Sequence, residues 1–102
     1  MTQTERIALM ESYLDESNAA MKNFSDSLER YHKVQSKIHE LSSYYSNGQW
    51  RLDFEDDEAG KIPGEIKRGV LSEDAVYDLL IDNREILDDM AGLIREREIL
   101  NV

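Results

Sequence analysis

Apolar residues recur along the first 46 residues at spacings of three, four and seven, which places them on one side of a helix. Ser17 and Gln35 occupy two positions of this heptad-like pattern where apolar residues are expected. The pattern predicts one long amphipathic helix over 4–46, either continuous or broken within 17–25. Its apolar positions are Ile7, Met10, Leu14, Met21, Phe24, Leu28, Tyr31, Ile38 and Tyr45, and Val34 and Leu41 widen the stripe near its end.

A second helical pattern predicts a helix over 72–100. Ser72 is a good N-cap, and Leu71 and Val76 have the spacing of a hydrophobic staple. The carboxylates of Glu73 and Asp74 favour the positive end of a helix. The apolar positions are Val76, Leu79, Leu80, Ile86, Leu87, Met90, Leu93, Ile94 and Leu100.

Residues 49–71 form a connector with a different pattern. Asn47-Gly48 supplies residues that commonly end a helix in a left-handed conformation. Apolar residues then alternate with polar ones over 50–54, which predicts a short extended stretch. Lys61-Ile62-Pro63-Gly64 predicts a turn with Pro63 at its first corner, and 65–68 a short helical turn.

The elements together predict an all-α fold, an elongated antiparallel helical hairpin forming a single domain over 1–102. At 1.5 Å per residue the two helices would be about 65 and 43 Å long. Part of the first helix's stripe then has no partner within the chain. We therefore expect a homodimer, most simply a dimeric four-helix bundle.

Composition narrows the class of protein. The 102 residues carry a net charge of −10, with no Cys, so disulfides, thiolate catalysis and Cys-based zinc sites are excluded. No apolar run has the length of a signal peptide or a membrane span, and we expect a cytoplasmic protein. Its charge disfavours direct binding to nucleic acid or to a membrane and favours a basic protein as partner.

The charge is concentrated in the second half of the chain. Residues 53–102 hold 15 of the 22 acidic residues and six basic ones, a charge of −9. Five of these acids follow helical spacings of four, four, three and four, at intervals of about 5–6 Å, comparable with successive phosphates of a nucleic-acid strand. The alternative is a solvated helix face opposite the core. These residues are Asp74, Asp78, Asp82, Glu85 and Asp89.

Further candidate partner-binding residues lie in the connector and just before it. Tyr45 and Trp50 are of the types that dominate binding hot spots, although Trp50 and Phe54 could instead fold back over the end of the hairpin. The acidic run comprises Glu55, Asp56, Asp57 and Glu58. The cations Lys61, Lys67 and Arg68 are expected to form ion pairs with this run.

No catalytic, cofactor or metal site is predicted, and we expect a protein that is not an enzyme. Glu29 and His32 match one Glu-x-x-His element of a di-iron bundle, but the neighbouring core positions turn them toward the helix edge. His39 is about 10 Å further along the helix. The acidic run lacks the glycine of a calcium loop.

The segment Gly60–Leu80, with Tyr44, Tyr45 and Trp50–Asp53 upstream, resembles a Firmicutes family of small acidic helical proteins described as a domain of unknown function. The resemblance spans about Arg6–Leu93. It implies the fold and compartment and assigns no active site. A looser resemblance connects the chain to mobile-element inhibitors of bacterial defence, including anti-CRISPR proteins, which implies a Cas effector as partner.

The sequence thus predicts a non-enzymatic acidic protein-binding module. The first hypothesis is an inhibitor that mimics nucleic acid and fills a basic groove. The alternative is a structural or adaptor protein that dimerises or docks partner helices through its apolar stripe. A carboxylate metal-binding bundle is the remote alternative.

Overall fold

The computed structural model describes every residue from Met1 to Val102. Its elements are α1 (Gln3–Ser46), α2 (Gln49–Glu58), a 3-10 turn (Gly69–Leu71) and α3 (Ala75–Leu100), with no strand. This confirms the all-α class, with a long helix at each end and a structured connector between them. None of the helices has the length and apolarity of a membrane-spanning segment.

The chain divides into two compact units, 1–36 and 37–102. The first unit contains α1 up to Ser36 and the two residues before the helix. The second holds the end of α1, the connector and α3. The assignment of 1–102 to a single domain stays a prediction.

Helix α1 runs without a break through the region where an interruption was possible. Its start is capped by Thr2, whose hydroxyl oxygen accepts the Glu5 backbone N–H at 3.2 Å, a bond that satisfies one of the unpaired donors of the first turn. It ends at Ser46, and Gly48 then adopts a φ of 95°. Gly48 therefore takes the expected left-handed conformation, whereas Asn47 instead accepts the Gln49 N–H through its side chain at 3.0 Å.

The predicted extended stretch at 50–54 is wrong, because these residues form the first half of α2. The alternation was misleading, since Leu52 is 63% exposed and takes no part in the core. The informative pair is Trp50 and Phe54, which are four residues apart and stack with ring centroids 5.0 Å apart. Residues at this spacing are neighbours on one helix face.

Helix α2 ends in a Schellman motif. Gly60 has a φ of 75°, and its N–H donates to the Asp57 carbonyl at 3.0 Å while the Lys61 N–H donates to the Asp56 carbonyl at 2.9 Å. These bonds satisfy carbonyls that the helix end leaves unpaired. The chain therefore leaves α2 in a fixed direction.

The remaining connector differs from the prediction in detail. The turn begins at Pro63, whose carbonyl accepts the Ile66 N–H at 3.2 Å, so Pro63 is not its first corner. The expected helical turn at 65–68 is absent, and the 3-10 turn follows at Gly69–Leu71. Ser72 closes that turn, donating its hydroxyl to the Gly69 carbonyl at 2.9 Å, and is not the cap of α3. The N-cap is Asp74, which makes no side-chain capping bond.

The core is small and lies in the second unit. Its buried apolar residues are Trp50, Leu71 and Val76, which are 7%, 8% and 3% exposed. They come from α2, the 3-10 turn and α3, and the 3-10 turn contacts both of these helices. In addition, the Trp50 indole N–H donates to the Val70 carbonyl at 2.8 Å. This bond fixes α2 to the segment that leads into α3.

We predict that Trp50→Ala lowers the free energy of unfolding by about 3–5 kcal/mol, because it opens a cavity in a core of three buried residues. Leu52→Ala on the same helix is the control and should change it by about 0.5 kcal/mol or less, since Leu52 is exposed. Urea denaturation followed by circular dichroism at one fixed protein concentration measures both. Equal destabilisation by the two variants would show that Trp50 does not organise the core.

Candidate protein-binding surfaces

The five predicted acids of α3 lie on one surface, here called the acidic face: Asp74, Asp78, Asp82, Glu85 and Asp89. All five are exposed. Asp74 is the N-cap, and the other four lie within the helix. At 3.6 residues per turn these four fall within about 60° of one another, while Val76 and Leu80 lie about 160–200° around from Asp78. The acidic face therefore points away from the packed side of α3.

No cation compensates the acidic face. None of its five carboxylates has a lysine or arginine within ion-pair distance, and none makes a side-chain hydrogen bond. Like charges four residues apart destabilise a helix by about 0.2–0.5 kcal/mol per pair. Asp74 and Asp78 gain from the positive helix end, but Glu85 and Asp89 lie too far along for this. The chain thus tolerates a repulsion that a basic partner would relieve.

The acidic run of the connector does not form one patch. Asp57 is held by Arg68 in an ion pair in which its side chain is only 19% exposed, and Asp56 lies 3.9 Å from the Lys61 ammonium. These pairs confirm the expected internal ion pairs for two of the three cations. Glu55 and Glu58 are exposed and unpaired, so only half of the run adds free negative charge to the surface.

The aromatic candidates lie within the fold. Trp50 is buried between two aromatic neighbours: it stacks on Phe54, and the Tyr45 ring is tilted by 60° at a centroid distance of 5.1 Å. Tyr45 itself is half-buried. Trp50 therefore contributes to the packing of the fold and is not exposed on the surface of a single chain. This agrees with the alternative in which Trp50 and Phe54 pack within the chain.

A further interaction of the second unit joins α1 to α2. The Tyr44 hydroxyl donates to an Asp53 carboxylate oxygen at 2.6 Å. Partial burial, together with this hydrogen bond and the negative charge of Asp53, raises the pKa of Tyr44 to about 12. The sequence gives little indication of this pair, because Tyr44 and Asp53 lie in different helices and the change of direction at Gly48 brings them together.

A regularly spaced row of exposed apolar residues lies on α1. We call it the α1 stripe, and its residues are 38–64% exposed. No residue of α1 is buried. Further along the same heptad pattern, Tyr31, Gln35, Ile38, Ser42 and Tyr45 are half-buried, so the covered part of the pattern ends near Leu28. The residues of the α1 stripe are Ile7, Met10, Leu14, Met21, Phe24 and Leu28.

The predicted core stripe of α3 is also only partly covered. Val76 is buried and Leu80 half-buried, whereas Leu79, Ile86 and Leu87 are 38–46% exposed. Both long helices therefore leave apolar side chains in contact with water.

Residues 7–93 match a family model described as a domain of unknown function, DUF4298. The chain belongs to the DUF4298 family. This agrees with the predicted resemblance, whose span of 6–93 is nearly the same. No curated protein and no solved structure matches the chain.

In this DUF4298 member the chain brings no metal-binding group together: no cluster of three or more His, Asp or Glu side chains is placed to hold an ion. The surface has open grooves. One lies at the end of α3 and is lined by Ile94, Arg97 and Val102 among others. Another, beside Tyr44, is lined by Lys37, Glu40 and Leu41.

We predict that the stabilising contribution of the protonated Tyr44 hydroxyl and its bond to Asp53 is lost as the pH rises from about 10 to 12. The folded-state pKa of Tyr44, about 12, exceeds the ordinary value of 10.0. As the pH rises, the unfolded chain therefore loses the Tyr44 phenol proton before the folded chain does. The contribution of Tyr44 to the free energy of unfolding is complete below pH 10 and lost by about pH 12. Phenolate absorbance should show a late step near pH 12 that disappears in Tyr44→Phe.

The matched control is Tyr13→Phe, since Tyr13 is exposed and makes no side-chain interaction. This variant should keep the late phenolate step. A step that survives in Tyr44→Phe would contradict the assignment.

Proposed function

We propose that this DUF4298 protein is a non-enzymatic binding module of the cytoplasm whose acidic face occupies a basic, nucleic-acid-binding groove on another protein and so inhibits it. The observation that carries the proposal is the acidic face itself: five exposed carboxylates along one side of α3 with no cation partner. Glu55 and Glu58 supply further free charge.

The geometry of the face suits an extended basic groove. From Asp78 to Asp89 it extends about 16 Å along α3, with a carboxylate at every helical turn. A groove that binds a nucleic-acid strand presents Lys and Arg side chains in a row. Docking would replace repulsion within the face by attraction to the groove, and complementary charge also speeds the encounter of the two proteins.

The partner class is supported by the looser resemblance to anti-CRISPR inhibitors, which favours a nucleic-acid enzyme such as a Cas effector. The family match carries no activity and favours neither this partner nor another. Direct binding of DNA or RNA by the chain is disfavoured by its net charge of −10.

The test compares the wild type with a variant that has a neutralised acidic face. Its substitutions are Asp78→Asn, Asp82→Asn, Glu85→Gln and Asp89→Asn. Each immobilised chain is incubated with bacterial lysate at about 50 and 500 mM salt, since screening weakens exposed charge interactions. We expect the wild type to capture basic nucleic-acid-binding proteins at low salt and to release them on addition of duplex DNA. The variant should bind them roughly thirtyfold more weakly, corresponding to about 2 kcal/mol for four exposed ion pairs.

A matched control removes four charges away from the acidic face, with Gln at exposed acids that make no ion pair: Glu11, Glu16, Glu65 and Glu98. Both variants have the same net charge, so only the position of the charge differs. The proposal fails if the two variants lose binding equally, because binding would then depend on total charge alone.

A second candidate function is supported by a different observation, the exposure of the α1 stripe. Burying a large apolar side chain fully stabilises by about 1.5–3 kcal/mol, so six side chains that are half exposed leave roughly 6 kcal/mol unused. Apolar surface of this kind marks sites of protein association. In this case the protein is a structural or adaptor protein that docks a helix, from a second copy or from another protein, on α1.

A further inference from the structure

The α1 stripe is a continuous surface without an occupant in the single chain. It covers three heptads between Ile7 and Leu28, about 32 Å of helix, and all six of its apolar residues are exposed. The identity of this occupant rests on the second candidate function. It is independent of the acidic face, which lies on α3.

We propose that the α1 stripe is covered by the α1 stripe of a second copy of this chain, with the two helices antiparallel and centred on Ala19. The orientation follows from the charge of α1. Residues 1–18 carry four acidic side chains and one Arg, a charge of −3, whereas 20–37 carry four cations and two acids, a charge of +2. An antiparallel pair places each acidic half beside the other copy's basic half, and a parallel pair places like charges together.

The register follows from the heptad positions. With Ala19 at the centre, Met10 faces Leu28, Leu14 faces Phe24, and Ser17 faces Met21. The single polar position of the stripe, Ser17, is thus matched by a long flexible side chain. A parallel pair in register would instead place the two Ser17 hydroxyls against each other in the core, where unpaired polar groups are costly.

Registers shifted by one heptad fit less well. A shift toward the N-terminus places Leu28 opposite Gln3 and leaves it uncovered. A shift the other way requires Gln35 and Ile38, which are already half-buried in the single chain. The register centred on Ala19 pairs five of the six stripe residues within the exposed stretch and requires one half-buried residue, Tyr31, opposite Ile7.

The residues flanking the stripe permit a close approach. Positions beside a helix-pairing seam commonly hold charged side chains. Here they include Asn18, Ala20, Ser25 and Ser27, which are small and uncharged. Two α1 helices can therefore approach without bringing like charges or bulky groups together near the centre of the pair.

The orientation is tested by distance measurement between spin labels. The chain has no native Cys, so Ala8→Cys and Ala19→Cys each carry one label per chain. Both residues are exposed and lie outside the seam. In the proposed dimer the Ala19 labels should be about 20 Å apart and the Ala8 labels more than about 35 Å apart, since the two Ala8 positions are separated by about 33 Å along the helix axis. A parallel dimer would give about 20 Å at both positions and would overturn the proposal.

The surface is tested by substitution and measurement of mass in solution. Leu14→Gln with Phe24→Gln removes four apolar side chains per dimer and should raise the dimer dissociation constant at least about a hundredfold. Sedimentation over a range of concentrations measures this constant. Because neither residue is buried in the single chain, circular dichroism and Trp50 fluorescence should show that the variant remains folded.

The control variant is Leu52→Gln with Ile66→Gln, which are similarly exposed apolar residues outside α1, and it should dimerise as the wild type does. A wild type that is monomeric at every concentration, or a Leu14/Phe24 variant that dimerises normally, would overturn the proposal. The first result would leave the stripe to a helix of another protein. The variant with a neutralised acidic face should still dimerise, so failure of this inference and failure of the inhibitor proposal are separate results.

Discussion

The burial of Trp50 is the interaction on which the second unit depends. Its ring packs between Tyr45 and Phe54, and its N–H binds the Val70 carbonyl across 20 residues of sequence. The connector contains one Pro and several Gly and forms no regular element between Glu58 and Gly69. Apart from this contact, the segment is held to α2 mainly by the exposed or partly exposed ion pairs of Lys61 with Asp56 and Arg68 with Asp57, so the buried indole is the apolar link that joins α2 to the start of α3.

The small size of the core explains the character of the rest of the surface. Three buried side chains cannot stabilise 102 residues in the way that a compact domain is stabilised. In proteins most helical stability comes from packing of an apolar face. A long helix such as α1, in which no residue is buried, therefore gains stability when its apolar face is covered. The proposed pairing of two α1 stripes would therefore stabilise α1 itself.

The sequence predicted the long helices well and the connector poorly, for physical reasons. The heptad pattern of α1 extends over more than five repeats, so a single polar position such as Ser17 does not obscure it. In the connector, five residues are too few to distinguish the two-residue period of a strand from the 3.6-residue period of a helix. The local structure there depends on the contact of Trp50 with the distant Val70 carbonyl. The start of α3 was misplaced by three residues because Ser72 bonds to the preceding turn. The spacing of the acidic residues on α3 was sufficient to predict that they share one face of the helix. Which acids of the connector remain unpaired depends on contacts such as that of Asp57 with Arg68, which spacing does not predict.

The separation of the core from the α1 stripe has a consequence for how this protein can change over time. The residues that hold the fold, Trp50, Leu71 and Val76, are different residues from those of the stripe, and the stripe residues are exposed in the single chain. Substitutions at Ile7, Leu14 or Phe24 would therefore change the surface of α1 and leave the packing of Trp50, Leu71 and Val76 intact. Under the proposed pairing, mutations in α1 could alter the strength of association in a lineage while the packed core of the second unit stays the same.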